Sequence, residues 1–267
     1  MKKQIFLACA ILLTVLTGCI EYDRSKVSKD FPIDESYSGL RVSSAISVTV
    51  SDTADKITVT APESIMPRVE VEMEGGTLKM RLKPRRPFFR FFVFRLTSDI
   101  EVVIPYNPEL TYVHLSGASD FHTDYGIGGN SVKVELSGSS DFFGEITAET
   151  IDLDLSGSSD IEAQVSATDL VMNLSGASDA DLTGSVKNLR MALSGSSDLI
   201  EKVSHHQYGL SCEQCKVSLS GASDAFIHCD GTISGSLSGA STLLYTGNAT
   251  ATGLSVSGGS EIIQKAL

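Results

Sequence analysis

The sequence predicts an all-β protein: a right-handed parallel β-helix, flattened into two sheets, with about 19 residues per coil and an irregular β cap at its N-terminal end. Three observations predict it. The hexapeptide Leu-Ser-Gly-Ala/Ser-Ser-Asp is written six times, from Leu115, Leu136, Leu155, Leu174, Leu193 and Leu219, with weaker copies at 237–242 and 256–261. Most copies stand 19 residues apart, a period that belongs to a unit stacked on itself. Before each leucine, apolar and polar residues alternate, which is the periodicity of a strand.

In chain order, residues 1–18 read as an export signal. Lys2 and Lys3 give a basic start, and the apolar run from Ile5 to Leu16 is too short to span a bilayer. The segment ends Leu16-Thr17-Gly18-Cys19, which resembles a bacterial lipobox. That resemblance implies cleavage before Cys19 and lipidation of its thiol, an anchor of several acyl chains into an outer membrane. Residues 19–30 are a polar tether.

Residues 31–110 form the irregular β section. Ile46-Val48-Val50, Ile57-Val59, Val69-Val71-Met73 and Leu78-Met80-Leu82 all alternate, and Gly75-Gly76 reads as a tight hairpin. From Lys79 to Arg95 the chain holds seven basic residues, no acid, and Phe88, Phe89, Phe91, Phe92 and Phe94. We read this segment as a plug for the end of the stack rather than a membrane or polyanion patch. Pro84 and Pro87 make its middle a loop.

Residues 111–267 form the repeat solenoid. Val132-Val134-Leu136, Ile151-Leu153-Leu155, Leu170-Met172-Leu174 and Leu189-Met191-Leu193 share one face of a strand, and polar residues such as Lys133, Glu135, Asp152, Asp154 and Arg190 share the other. Ser-Gly-x-Ser-Asp then turns the chain. Six residues past the leucine an apolar side chain returns (Phe121, Phe142, Ile161, Ala180, Leu199) and begins a second strand. Eight such coils, at about 4.8 Å each, make a rod of roughly 35 to 40 Å. No coil buries its own leucine; its neighbours do.

The run of Ser-Gly-Ala/Ser-Ser-Asp units on a lipobox precursor resembles the auto-transporter adhesin, head GIN domain, proteins of Bacteroidetes-type bacteria, over about residues 36–260. The resemblance implies a β-helix of two sheets joined by Gly-Ser turns and a role in adhesion. It brings no catalytic residues.

The aspartates Asp120, Asp141, Asp160, Asp179, Asp198 and Asp224 would stack into one column, where like charges repel. Either each accepts hydrogen bonds from turn amides and from hydroxyls such as Ser137, Ser156 and Ser175, or Ca²⁺ lies between coils. One carboxylate per coil supplies few oxygens for such an ion, which favours the first. The Leu193–Leu219 spacing is 26, and the extra loop carries His205, His206, Cys212 and Cys215, with Cys229 in the next coil. These residues suit a soft-metal or redox site, but Cys215 stands at an inward core position, and buried cysteine packs as a small hydrophobe. His114 and His122 read as isolated and solvated.

The formal charge of −12 moves to about −14 once Lys2 and Lys3 are cleaved off, which disfavours nucleic acid. No nucleophile, base and orienter stand together, so the sequence points away from an enzyme and from any cofactor. The expected role is display of a Ser/Thr/Asp-rich face, including Asp152, Asp154 and Arg190, to glycans or to host or neighbouring cell surfaces. The alternatives are a structural envelope protein without its own ligand and a polysaccharide-processing β-helix enzyme.

Overall fold

A computed structural model describes residues 25–33, 36–84, 100–200 and 209–266. Cys19, the phenylalanines from Phe88 to Phe94, and His205 and His206 lie outside the described residues. The fold is the expected β-solenoid, and the described residues contain no α-helix.

The repeat half is built from β8 (Tyr112–Ser116), β9 (Asp120–His122), β10 (Ile127–Leu136), β11 (Asp141–Leu155), β12 (Asp160–Gly176), β13 (Asp179–Gly195), β14 (Asp198–Ile200), β15 (Leu210–Leu219), β16 (Asp224–Leu237), β17 (Thr242–Thr246), β18 (Thr250–Val256) and β19 (Glu261–Gln264). Each coil pairs in parallel with the next, one repeat out of register: Leu136 with Leu155, Leu155 with Leu174, Leu174 with Leu193. Leu115, Leu136, Leu155, Leu174, Leu193, Leu219 and Leu237 are all 2% exposed or less, one above another. Removing each from water contributes about 1.5–3 kcal/mol, and only the stack makes that removal possible. A second inward column, Phe121, Phe142 and Ile161, lines the other sheet, with the two phenyl rings stacked at 5.3 Å.

The sequence anticipates two separate strands per coil, yet β11, β12 and β13 each run through both sheets. In β12 the inward residues are Ile161, Ala163 and Val165, then Leu170, Met172 and Leu174. The alternation slips by one between them, so the strand bends there without breaking. Backbone hydrogen bonds between coils continue through the glycine corner, where the Ser156, Ser158 and Asp160 amides donate to the carbonyls of Leu136, Gly138 and Ser140 at 3.0, 2.7 and 3.0 Å.

The N-terminal section is more regular than its sequence suggests. It holds β1 (Lys26–Phe31), β2 (Gly39–Ser43), β3 (Ile46–Ser51), β4 (Ile57–Pro62), β5 (Val69–Glu74), β6 (Thr77–Leu82) and β7 (Ile100–Pro105). β2 and β3 form a coil that pairs in parallel with β8 and β9 on one side and with β6 and β7 on the other. Ser44 and Ala45, with φ of 79° and 60°, turn this coil where the repeats use glycine. The cap proper is antiparallel: β5 closes the leucine sheet against β6, while β4 and then β1 close the other beyond β7. Met80, in the outermost coil of this end, is consequently 1% exposed.

The 26-residue spacing leaves the stack undisturbed. Leu193 still pairs with Leu219 and Leu199 with Ala225, so the extra residues are accommodated between β14 and β15.

Candidate functional site

Three features of the repeat are chemically distinct: the corner, the outer face of the leucine sheet, and the cysteine cluster. At the corner the serine that precedes each motif's aspartate is wholly buried. Ser140, Ser159, Ser178 and Ser197 donate to the carbonyls of Ser137, Ser156, Ser175 and Ser194 at 2.8, 2.9, 3.1 and 3.0 Å. The amides of Ser159 and Ser178 reach up to the hydroxyls of Ser178 and Ser197 at 3.4 Å. The motif's inner serine is therefore a structural pin.

The aspartate column exists, with Asp120, Asp141, Asp160, Asp179 and Asp198 in direct register. Its acceptors are used by the backbone: the Asp224 amide donates to Asp198 Oδ1 at 2.9 Å and the Thr242 amide to Asp224 Oδ1 at 3.0 Å. The hydroxyls of Ser137, Ser156 and Ser175 do not turn to the aspartates. They point back to the carbonyls of Leu115, Leu136 and Leu155 at 3.4 Å. Partial burial, reinforced by the carboxylates above and below, raises Asp141 and Asp179 above the usual carboxylate value, and burial raises Asp120. Among the described residues no three His, Cys, Asp or Glu side chains converge on a point that could hold a metal ion. The column thus offers Ca²⁺ one carboxylate per rung and no cage.

On the outer face of the leucine sheet, successive rungs align Arg41, His114, Glu135, Asp154 and Asn173 in one column and Tyr112, Lys133, Asp152, Val171 and Arg190 in the next. The two columns are laced together around Glu135. Its carboxylate accepts Tyr112 Oη at 2.5 Å, His114 Nδ1 at 3.0 Å and Lys133 Nζ at 2.9 Å. Lys133 also reaches Asp154 at 3.1 Å and Asp152 at 3.8 Å, Arg41 donates to Tyr112 Oη at 3.1 Å, and Asn173 donates to Asp154 at 2.8 Å. Partial burial alone would raise the Glu135 carboxyl, but its donors Tyr112, Lys133 and His114 outweigh that and hold it down at about 2. Beside the network runs a shallow groove of about 530 Å³, bordered by His114, Glu135, Asp154, Asn173 and the outer serines Ser156 and Ser175.

Of the three surface candidates, Asp152 and Asp154 therefore lie together in this network. Arg190 stands two rungs from Asp152, across Val171. Glu135, at the centre, is the residue that inward-facing periodicity does not single out. The alternation places it on the outward face, but its central role needs Arg41 and His114 in the same column, and the coil of Arg41 carries no motif by which to align it. His114 is correspondingly not isolated, and His122 also has a carboxylate neighbour, Asp124 at 3.1 Å.

Cys212, Cys215 and Cys229 are free thiols facing the core, with exposures of 6%, 3% and 0%. Cys212 lies directly opposite Cys229 on the next coil. A hydrogen bond with Cys215 and then burial push the Cys212 thiol upward, against the opposite effect of its bond to Cys229, while the bond to Cys212 and burial push Cys229 upward. His228 turns instead to Thr246 and Asp230, at 2.9 and 3.2 Å.

Residues 36–249 match the family described as "Putative auto-transporter adhesin, head GIN domain". No curated protein matches the chain. Solved structures share its fold. One, described as a putative lipid binding protein from Parabacteroides distasonis, superposes with a TM-score of 0.77 at 17% identity, covering 91% of this chain and 98% of that one. A putative adhesin from Parabacteroides merdae gives 0.76 at 15% identity, over 91% of this chain and 97% of its own. A putative adhesin from Bacteroides fragilis gives 0.64 at 16%, over 91% and 99%. At these identities the likeness carries the fold alone.

Proposed function

Since this chain belongs to the head GIN domain family of putative auto-transporter adhesins, we propose that it is a non-enzymatic binding protein of the cell envelope. A lipid on Cys19 tethers it, and the outer face of the leucine sheet engages a repetitive polymer such as a glycan on host or neighbouring cells. The network around Glu135 is the observation that supports this reading. It fixes donors and acceptors on consecutive rungs beside an open groove, so little rotamer freedom is lost when a ligand arrives. A polymer of regular repeat then meets the same spacing along the rod.

Within the network Glu135 is unsuited to acid catalysis, whereas burial and the neighbouring Asp154 carboxylate raise Asp152 above its usual value. A carboxyl held at about 2 is ionised at neutral pH and cannot serve as a general acid there. Asp152 and Asp154 are both within reach of the same ammonium group.

Binding of the full-length protein to glycan arrays and to whole cells tests the proposal. Asp154→Ala, Asn173→Ala and Arg190→Ala should each weaken it, and Thr183→Ala, on the other sheet, should not. Binding that ignores all three outer-face changes, or cleavage of the chain by added protease only after cells are broken, would move the reading to a structural envelope protein.

A further inference from the structure

We infer that the last coil is an interface between two copies of this chain, joined end to end about a twofold axis. The two ends of the described solenoid differ. At one, the antiparallel strands β1, β4 and β5 cover the core. At the other, β18 and β19 pair with β16 and β17 on one side only. The leucine column, 1% exposed at Leu237, opens to 47% at Val256 one rung later, and Ile263 on the outer face is 42% exposed. β18 is bulged between Ala251 and Leu254, a device that blunts an edge, but β19 pairs with β17 without a register shift and carries no Pro, Lys or bulge within Glu261–Gln264, so it presents unpaired amides and carbonyls beside an apolar side chain.

The sequence of this edge is complementary to itself. Residues 261–265 read Glu-Ile-Ile-Gln-Lys. Antiparallel pairing of two copies centred on Ile263 sets Glu261 opposite the partner's Lys265, and by symmetry Lys265 opposite the partner's Glu261. Glu261, Ile263 and Lys265 share one face of the strand, so both charge pairs flank an Ile263–Ile263 contact. An axis normal to the sheets reverses strand direction and keeps each sheet on its own side, so β19 forms the pairing while the bulged β18 is brought near its own copy without having to pair. Charge permits the approach. In a chain of net −12, residues 250–266 hold one acid and one base.

Sedimentation velocity of the full-length chain over a range of concentrations tests the inference. The wild type should dimerise. Glu261→Lys turns both cross-strand pairs into like charges and should raise the dimer dissociation constant about tenfold or more. The double variant Glu261→Lys/Lys265→Glu should restore it, which no general loss of folding would do. Ile263→Lys should give a folded monomer by circular dichroism. A wild type that stays monomeric overturns the inference. So does a dimer indifferent to Glu261→Lys, or one that the double variant fails to restore.

Discussion

Replacing Gly157 by alanine asks how tightly the stacked corners constrain one another. Gly157 has φ of +86°, and an alanine Cβ built on it would lie 2.5 Å from the Gly138 carbonyl oxygen of the coil below. The left-handed conformation costs a residue bearing a Cβ about 1–2 kcal/mol. The carbonyl must also move, and it already accepts the Ser158 amide at 2.7 Å, a bond whose loss adds roughly 1 kcal/mol. The expected penalty is therefore about 2–3 kcal/mol. Gly253 is the control: its φ is +62°, but nothing lies within 4 Å of the added Cβ, so Gly253→Ala should cost only about 1 kcal/mol. Entropy lost by the unfolded chain enters both variants equally and cancels in the comparison. Urea denaturation followed by circular dichroism reads the difference. Equal midpoints for the two variants would refute the claim that contact between successive corners, rather than backbone conformation alone, selects glycine.

Two further outcomes follow from the corner and the outer face. Ser178→Ala removes the acceptor of the Ser159 amide and the donor to Ser175 in a dry site, and calorimetry should show a loss of about 1–3 kcal/mol. The outer Ser175→Ala should stay within about 0.5 kcal/mol. Asp141 has a raised folded pKa, so its contribution is full below the ordinary value of 3.8 and is lost as pH rises through the folded one. Asp141→Asn should then raise the melting temperature at neutral pH and lose that advantage below about pH 4. Glu135 behaves oppositely: depressed to about 2, it stabilises above its ordinary value of 4.5 and ceases to as pH falls through 2. Glu135→Gln should destabilise at neutral pH and be silent near pH 2, and parallel melts across pH would expose any failure of either sign.

The solenoid was legible in the sequence because its core is written at a fixed period. Leu136, Leu155 and Leu174 repeat with the coil, and one glycine recurs wherever the corner demands positive φ. The coil at β2 and β3 was not legible as one. Its corner is Ser43-Ser44-Ala45-Ile46, which lacks the glycine signal, and its partners Leu78 and Val113 are remote in sequence. The corner serine and the aspartate were legible as a motif but not in their roles. Nothing in spacing tells which hydroxyl turns inward, or that an amide of the next rung occupies a carboxylate oxygen. The network at Glu135 was hidden for a related reason: its members Arg41, Tyr112 and Lys133 belong to three coils, one of them the coil that lacks the motif.

The placement of β2 and β3 between β6–β7 and β8–β9 makes theirs the coil assembled from the most distant parts of the chain. That first coil is flanked on both sides only when β6 and β7 have returned to one side and β8 and β9 to the other. Such distant closures are slow, because loop entropy is lost before any contact compensates. The later coils, by contrast, pair with neighbours about one repeat away and close by short local steps. The most distant closures of the chain are thus confined to the stretch where its repeat is faintest.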